Sequence, residues 1–118
     1  MARILVLDDE PLISLLVEEW LTEFGHEIGP ANSVRSALSL IDRTTFDAAI
    51  LDVSLRNEEC YSVADALRGR GIPFVFATGH GANGVEVRFK GTRILSKPFD
   101  FEEVRDMIAK LLDNRPQP

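Results

Sequence analysis

Short unbroken apolar runs alternate along the chain with longer stretches whose apolar residues recur at helical spacing. The clearest runs are residues 4–7, 48–51 and 74–77, followed by the weaker run 94–95 and by residues 26–29. Short runs rich in branched side chains are typical of strands that are buried on both faces of a parallel sheet. Residues 26–29 are the least apolar, and we therefore interpret them as an edge strand.

The stretches between these runs predict helices. The first stretch carries one wide apolar stripe, made of Leu12, Ile13, Leu16, Val17, Trp20, Leu21 and Phe24. Gly25 is a stop signal for this helix, Ser33 an N-cap for the second, and Asp100 a start signal for the last. Residues 63–67 mark a third helix between them. Strands that alternate with helices predict an α/β fold, a doubly wound five-stranded parallel sheet with helices on both faces.

A glycine-rich segment stands where a further helix is due. Its glycines are Gly79, Gly81, Gly84 and Gly91. Because glycine loses more backbone freedom in a helix than other residues, we expect a helix over residues 82–90 to be short or mobile. Residues 114–118 are typical of a disordered tail. With no linker or repeat, we expect a single domain over residues 1–118 and no output domain.

The charge balance excludes several classes of partner. Asp and Glu number 19 against 13 for Lys and Arg, which gives a formal net charge of -6. Without a basic stripe, we expect no direct binding to nucleic acid. No apolar run approaches the ~18 residues of a membrane span, so we also expect no membrane insertion. The chain has one cysteine, so an intrachain disulfide is impossible, and this fits a reducing compartment. We therefore expect the protein to be cytoplasmic.

Polar residues follow four of the five apolar runs. Asp8 and Asp9 come after the first run, Asp52 after the run 48–51, Thr78 after the run 74–77, and Lys97 just after the last. In an open α/β sheet the carboxyl ends of the strands form the ligand crevice. We therefore expect these five residues to converge on one site.

Carboxylates that crowd together repel one another unless a cation neutralises them. Mg2+ binds one or two carboxylates, keeps several waters and leaves room for phosphate oxygens. An aspartate carboxylate can also act as a nucleophile that forms an aspartyl-phosphate. A lysine and a hydroxyl nearby would stabilise the transferring phosphoryl group. The set thus predicts Mg2+-dependent phosphoryl transfer to an aspartate of this site, with Lys97 and Thr78 in support.

The order of these motifs resembles the receiver domain of two-component response regulators. The matching residues are Asp8 and Asp9 in Leu-Asp-Asp-Glu-Pro, Asp52 in Ile-Leu-Asp, Thr78 in Ala-Thr-Gly and Lys97 in Ser-Lys-Pro-Phe. Each motif alone is weak, but four in this order at strand ends are specific. The resemblance implies a flavodoxin-like receiver fold with strand order 2-1-3-4-5.

The resemblance also implies a role for each matching residue. Asp52 would accept the phosphoryl group. The metal ligands would be Asp9 directly, Asp8 mainly through water, Asp52 itself and the backbone carbonyl of Ser54. Thr78 would contact the phosphoryl oxygens. Lys97 would pair with the phosphate, and the Lys97–Pro98 peptide bond would be cis.

Partners are implied by the same resemblance. The donor would be a sensor histidine kinase or a phosphotransfer protein. A downstream protein target would bind the face formed by residues 79–113, or the phosphate would be relayed to another carrier. Such a domain is not an enzyme in the ordinary sense, although it catalyses its own phosphotransfer and autodephosphorylation.

Two departures from the family pattern bear on how phosphorylation would be read out. Receivers typically have an aromatic switch residue three positions before the lysine, and here that position is Ile94. The segment Phe-Ala-Thr-Gly that contains Thr78 resembles a bacterial receiver subgroup whose next loop is unusually mobile. His80 lies two residues past Thr78, where we expect it to tune the access of water to the phosphate. We therefore expect signalling by loop ordering rather than by a ring flip.

Alternative interpretations remain at this point. Asp8 and Asp9 could simply cap the helix that comes after them. The chain could be a phosphate-independent protein-binding module that keeps the receiver fold. A hydrolase with an aspartyl-phosphate intermediate is a third class, but such enzymes often have a second Asp two residues after the nucleophile, where this chain has Ser54.

Overall fold

A computed structural model describes residues 2–56, 58–79 and 85–113 of the chain. Its five strands are β1 (Arg3–Leu7), β2 (Glu27–Ala31), β3 (Ala48–Asp52), β4 (Phe74–Thr78) and β5 (Ile94–Ser96). All are parallel and pair in the order β2-β1-β3-β4-β5. The predicted fold class and strand order are therefore confirmed, as is the edge position of the least apolar strand.

Helices cover both faces of this sheet. They are α1 (Pro11–Glu23), α2 (Val34–Arg43), α3 (Tyr61–Gly69) and α4 (Phe101–Asp113), with a short 3-10 helix at Val87–Phe89. Helices α1 and α4 share one apolar core with one face of the sheet, and α2 and α3 share a second core with the other face. No helix in these described stretches is long and apolar enough to cross a bilayer.

The alternation of side chains along each strand builds the two cores. In β1, for example, Leu5 and Leu7 pack toward α2 and α3, whereas Ile4 and Val6 pack toward α1 and α4. Strands β3 and β4 are buried along their whole length. A polar side chain at the carboxyl end of either strand is therefore held at the bottom of a crevice rather than on an open surface.

The predicted start and stop residues lie at the ends of the helices. Ser33 caps α2 in a capping box with Ser36, in which each side chain satisfies the backbone N–H of the other. Asp100 and Glu103 make the same reciprocal pair at the start of α4. Gly25, after α1, adopts a left-handed conformation with φ of 90° that other residues avoid.

The apolar stripe of α1 is wider than the face that this helix buries. The buried residues of this helix are Val17 and Leu21, and Ile13, Trp20 and Phe24 pack partly against the core. Leu12 and Leu16 belong to the same stripe, but they are 80% and 41% exposed. The sheet and α4 cover only one side of α1, so a stripe of seven residues exceeds the face that can be buried.

The glycine-rich segment forms little helix within the residues that the structure describes. Residues 80–84, and with them His80 and part of the predicted helix over 82–90, lie outside the described residues, as does the predicted tail 114–118. Among the described residues 85–90, the helical part is the 3-10 turn Val87–Phe89. This turn is nevertheless firmly packed, because Phe89 is 1% exposed.

Helix α3 holds the 3-10 turn by several contacts. The Phe89 ring stacks on Tyr61 at a centroid distance of 5.3 Å and meets Phe74 and Phe76 edge-on. The hydroxyl of Tyr61 accepts a hydrogen bond of 3.0 Å from the backbone N–H of Glu86. Arg88 binds both carboxylate oxygens of Asp65, and the guanidinium groups of Arg68 and Arg88 each lie 4.4 Å from the centre of the Phe89 ring.

The uneven burial of α1 predicts a contrast between two leucines of the same helix. Leu21 is fully buried, so Leu21→Ala removes core contacts and should lower the free energy of unfolding by about 2–5 kcal/mol. Leu12→Ala should change it by less than about 0.5 kcal/mol, because little apolar surface is lost at an exposed site. Urea unfolding followed by circular dichroism measures both values. Similar losses for the two variants would contradict this packing of α1.

Candidate functional site

The carboxyl edge of the sheet brings most of the predicted site residues together. Asp8 follows β1 directly, Asp52 and Thr78 end β3 and β4, and Lys97 follows β5 directly. Asp8, Asp52 and Thr78 are 6%, 1% and 0% exposed, and they are the only buried polar or charged residues in the described chain. Three buried polar groups at one sheet edge indicate a built site, since such groups are costly to bury without a function or partner.

Lys97 stands at the centre of the site. Its Nζ lies 3.3 Å from Oδ2 of Asp52 and 3.4 Å from Oδ2 of Asp8. A third carboxylate, Oε1 of Glu10, also lies 3.4 Å from Nζ. The site therefore combines three carboxylates with a single ammonium group.

Asp52 has one satisfied oxygen and one unsatisfied oxygen. Oδ1 accepts a hydrogen bond of 3.0 Å from the backbone N–H of Ser54, two residues further along. Oδ2 is buried and accepts no hydrogen bond from the residues that the structure describes, although it forms the ion pair with Lys97. A buried carboxylate oxygen without a donor is unusual, and it suits a nucleophile or a cation ligand.

Asp8 is held by its own turn. Oδ1 accepts a hydrogen bond of 2.9 Å from the backbone N–H of Glu10. Burial, and to a smaller extent the neighbouring Asp52, raise the pKa of Asp8, whereas the hydrogen bond from Glu10 and the charge of Lys97 lower it, and the net pKa is about 6. Ionisation of Asp8 therefore costs more free energy in the folded protein than in the unfolded chain.

The ammonium of Lys97 responds to the same charges. Burial by itself would lower its pKa, but the carboxylates of Asp52 and Asp8 outweigh burial and the pKa is raised. The backbone N–H of Lys97 donates a hydrogen bond of 2.9 Å to the carbonyl oxygen of Thr78, which fixes the lysine beside β4. The Lys97–Pro98 peptide bond is cis, as predicted.

Asp9 and Ser54 occupy different positions from the central carboxylates. Oδ2 of Asp9 accepts a hydrogen bond of 2.6 Å from the backbone N–H of Arg56, in the loop after β3. Ser54 is exposed and contributes its backbone N–H to Asp52. The metal-binding roles of Asp9 and of the Ser54 carbonyl stay predictions. The alternative in which the acidic pair caps α1 is not seen among the described residues, because Asp8 accepts from the backbone N–H of Glu10, ahead of the helix, and Asp9 accepts from that of Arg56.

Glu10 is the residue that sequence reasoning missed. It is the N-cap residue of α1, and its carboxylate joins Asp8 and Asp52 in a group whose oxygens lie within 4.8 Å of one another. The signal was present in the sequence, because Glu10 directly follows the acidic pair. The direction of its side chain depends on the turn between Asp8 and Glu10, which no spacing rule reveals.

The oxygen set fits a hard divalent cation. Three carboxylates converge, one oxygen of Asp52 has no hydrogen-bond donor in the described part of the chain, and the carboxylates outnumber the ammonium of Lys97. Mg2+ prefers oxygen ligands and tolerates waters in the remaining positions. Asp8, Glu10, Asp52 and the adjacent Asp9 are thus the side chains that could hold it.

The raised pKa of Asp8 predicts a pH-dependent stability effect in metal-free protein. Between pH 4 and 6 the unfolded chain loses this proton before the folded protein does, so stability falls as the pH rises through this range. Asp8→Asn removes this penalty and should raise the free energy of unfolding at pH 7.5 by on the order of 1–3 kcal/mol. At pH 3.5 the gain should vanish.

Chemical denaturation with a chelator present measures this effect. Asp106→Asn is the matched control, since its carboxylate lies on the surface, and we expect no comparable gain from it. A gain for Asp8→Asn that is equal at both pH values would contradict the assignment to Asp8.

Comparison with known proteins places this site in a family. The sequence matches the response regulator receiver domain over residues 4–109. Among curated proteins it is 32% identical to the transcriptional regulatory protein TcrA of Mycobacterium tuberculosis, over 98% of this chain and 48% of that protein. The chain spans about half the length of the curated relatives it matches.

Solved structures of response regulators are similar to this chain in fold and in sequence. The fold is similar to SdrG of Sphingomonas melonis Fr1, with a TM-score of 0.83 and 41% identity over 95% of this chain and 97% of that one. It is also similar to TrrA of Thermotoga maritima in complex with Mg2+-BeF, with a TM-score of 0.78 and 29% identity over 95% and 100% of the chains. This chain therefore belongs to the receiver domain family of two-component response regulators.

Proposed function

We propose that this receiver accepts a phosphoryl group on Asp52 from the phosphohistidine of a sensor histidine kinase or phosphotransfer protein, in a reaction that depends on Mg2+. The observation that carries the proposal is Oδ2 of Asp52, which is buried, lies 3.3 Å from Nζ of Lys97 and accepts no hydrogen bond from any described residue. Such an oxygen keeps its lone pairs available for attack on phosphorus.

In this mechanism an Asp52 oxygen attacks the phosphorus and the P–N bond of the donor breaks. The imidazole leaves with its electron pair and takes up a proton. Lys97 offsets the negative charge that the phosphoryl oxygens bring into the crevice, and it is already placed beside Asp52. Thr78 ends the neighbouring strand, where its hydroxyl would donate to a phosphoryl oxygen.

Mg2+ bound here would neutralise carboxylate and phosphoryl charge together. We propose Asp9, Asp8 and Asp52 as its side-chain ligands and the Ser54 carbonyl as a backbone ligand. The complex of the related TrrA with Mg2+-BeF supports this cation. The presence of Asp8 and Glu10 beside Asp52 supports it independently.

We propose that the domain serves signalling rather than metabolic turnover. It would catalyse its own phosphorylation and lose the phosphate by autodephosphorylation. Downstream, the face formed by residues 79–113 would bind a protein target or the phosphate would pass to another carrier. An acidic chain with one cysteine, Cys60, suits the cytoplasm, where we expect it to act.

The packing of the 3-10 turn supports signalling through the segment after β4. Ile94 pairs with Phe76 and supplies no ring at the position where receivers typically carry their aromatic switch. The segment after β4 nevertheless contributes one ring to this core, because Phe89 of the turn packs there against Tyr61 and Phe76. We therefore propose that phosphorylation is read out as a change in the order of residues 79–91.

Phosphorylation by a small donor tests the acceptor. Incubation with acetyl phosphate and Mg2+ should add one phosphoryl group, because Asp52 is the buried nucleophile of the site. Asp52→Asn should abolish this modification, whereas Asp106→Asn should leave it intact. Mass spectrometry of the intact protein provides the measurement.

The same experiment separates this function from a phosphate-independent binding module with a receiver fold. Such a module would stay unmodified with any donor and with or without Mg2+. Equal labelling of wild type and Asp52→Asn would overturn the choice of acceptor. Turnover of a generic phosphate ester would instead favour a hydrolase.

The readout through residues 79–91 has a direct physical test. Phosphorylation should alter amide hydrogen exchange in residues 85–91, because these residues connect the end of β4 with β5. The wild type is measured with and without acetyl phosphate, and Asp52→Asn treated alike serves as the control. Unchanged exchange throughout residues 79–91 of the phosphorylated protein would contradict loop ordering.

A further inference from the structure

We infer that Glu10 is an additional, outer-shell carboxylate of the divalent-cation site and strengthens cation binding through its charge. The inference rests on the proposed function, because it concerns the same crevice. It adds a residue to the acidic pair and Asp52, which are the carboxylates that the receiver motifs identify.

The first observation is where the Glu10 carboxylate lies. One of its oxygens belongs to a group with oxygens of Asp8 and Asp52 that are all within 4.8 Å of one another. The same side chain lies 3.4 Å from the ammonium of Lys97. A positive charge is thus already attracted to the point on which the three carboxylates converge, and a divalent cation would be attracted there more strongly.

The second observation is the unsatisfied oxygen of Asp52. Asp52 is 1% exposed, and its Oδ2 accepts no hydrogen bond within the described part of the chain. This oxygen belongs to the carboxylate that joins Asp8 and Glu10 in the group. A buried acceptor without a donor beside two further carboxylates indicates a place for a ligand and not merely an acidic surface.

The ordinary role of an acidic residue at this position does not account for Glu10. It is the N-cap residue of α1, where carboxylates commonly accept a hydrogen bond from the first turn of the helix. The Glu10 side chain makes no such bond. Its backbone N–H instead donates to Oδ1 of Asp8, and its carboxylate turns toward Lys97.

Glu10 also differs from Asp9, although the two are adjacent. The Asp9 carboxylate accepts a short hydrogen bond from the backbone N–H of Arg56. The Glu10 side chain is 56% exposed and its contact in the crevice is the ion pair with Lys97. An exposed carboxylate at the mouth of the crevice suits contact with the waters that Mg2+ retains, rather than direct coordination.

Exposure also sets the size of the effect. In a medium close to water, a unit charge about 5 Å from a divalent cation contributes enough attraction to change affinity by roughly 3- to 20-fold. Glu10→Gln keeps the shape of the side chain and removes the charge. We therefore expect Mg2+ affinity to fall by about that factor.

Isothermal titration calorimetry with MgCl2, and Mn2+ binding followed by electron paramagnetic resonance, measure this affinity without phosphorylation. Glu19→Gln is the matched control, because Glu19 is an exposed glutamate of α1 that changes the net charge equally. We expect a change of less than about 2-fold from the control, since its charge lies away from the crevice. Glu10→Asp keeps the charge and should retain more affinity than Glu10→Gln.

The outcomes distinguish this inference from the proposed function. If wild type binds Mg2+ and Glu10→Gln binds it as tightly as Glu19→Gln does, the role of Glu10 is overturned while the phosphoacceptor site stands. If wild type binds neither Mg2+ nor Mn2+, the proposed metal dependence fails and the role of Glu10 fails with it. Urea unfolding of each variant excludes loss of affinity through misfolding.

Discussion

The ion pair between Lys97 and the buried Asp52 is the interaction around which this domain is organised. A carboxyl group as buried as that of Asp52 needs a compensating partner, which is the partly exposed ammonium of Lys97, and one oxygen of Asp52 still has no hydrogen-bond donor among the described residues. The parallel sheet makes this arrangement possible, because Asp52 at the end of β3 and Lys97 directly after β5 lie at the same edge of the sheet. The apolar cores on both faces hold the charges in position against their repulsion and desolvation.

Much of this organisation could be predicted from sequence because strong local patterns agree with one another. Unbroken apolar runs give the strands, and caps such as Ser33 and Asp100 give the helix starts. The convergence of Asp8, Asp52, Thr78 and Lys97 follows from the geometry of parallel strands alone. Strand order was different, since it came from resemblance to a family and was then confirmed by the observed pairing.

The sequence did not reveal those features that depend on contacts between residues distant in the chain or on the exact geometry of a turn. The exposure of Leu12 and Leu16 depends on how much of α1 its neighbours cover, and a helical period cannot express that quantity. The position of the Glu10 carboxylate depends on a turn held by one hydrogen bond from Glu10 to Asp8. The burial of Phe89 in a glycine-rich segment could not be predicted from the sequence either, because the residues that contact its ring include Tyr61 and Arg68 of α3, far away in sequence.

The contact between Tyr61 and Phe89 has a mechanical consequence for the two strand ends at the site. Helix α3 begins with Tyr61 nine residues after Asp52, and Phe89 lies eleven residues after Thr78. Stacking of the two rings brings the start of α3 into contact with the 3-10 turn. The segments that follow Asp52 and Thr78 are therefore joined by one aromatic contact, and a change in the position of either ring alters the packing of the other.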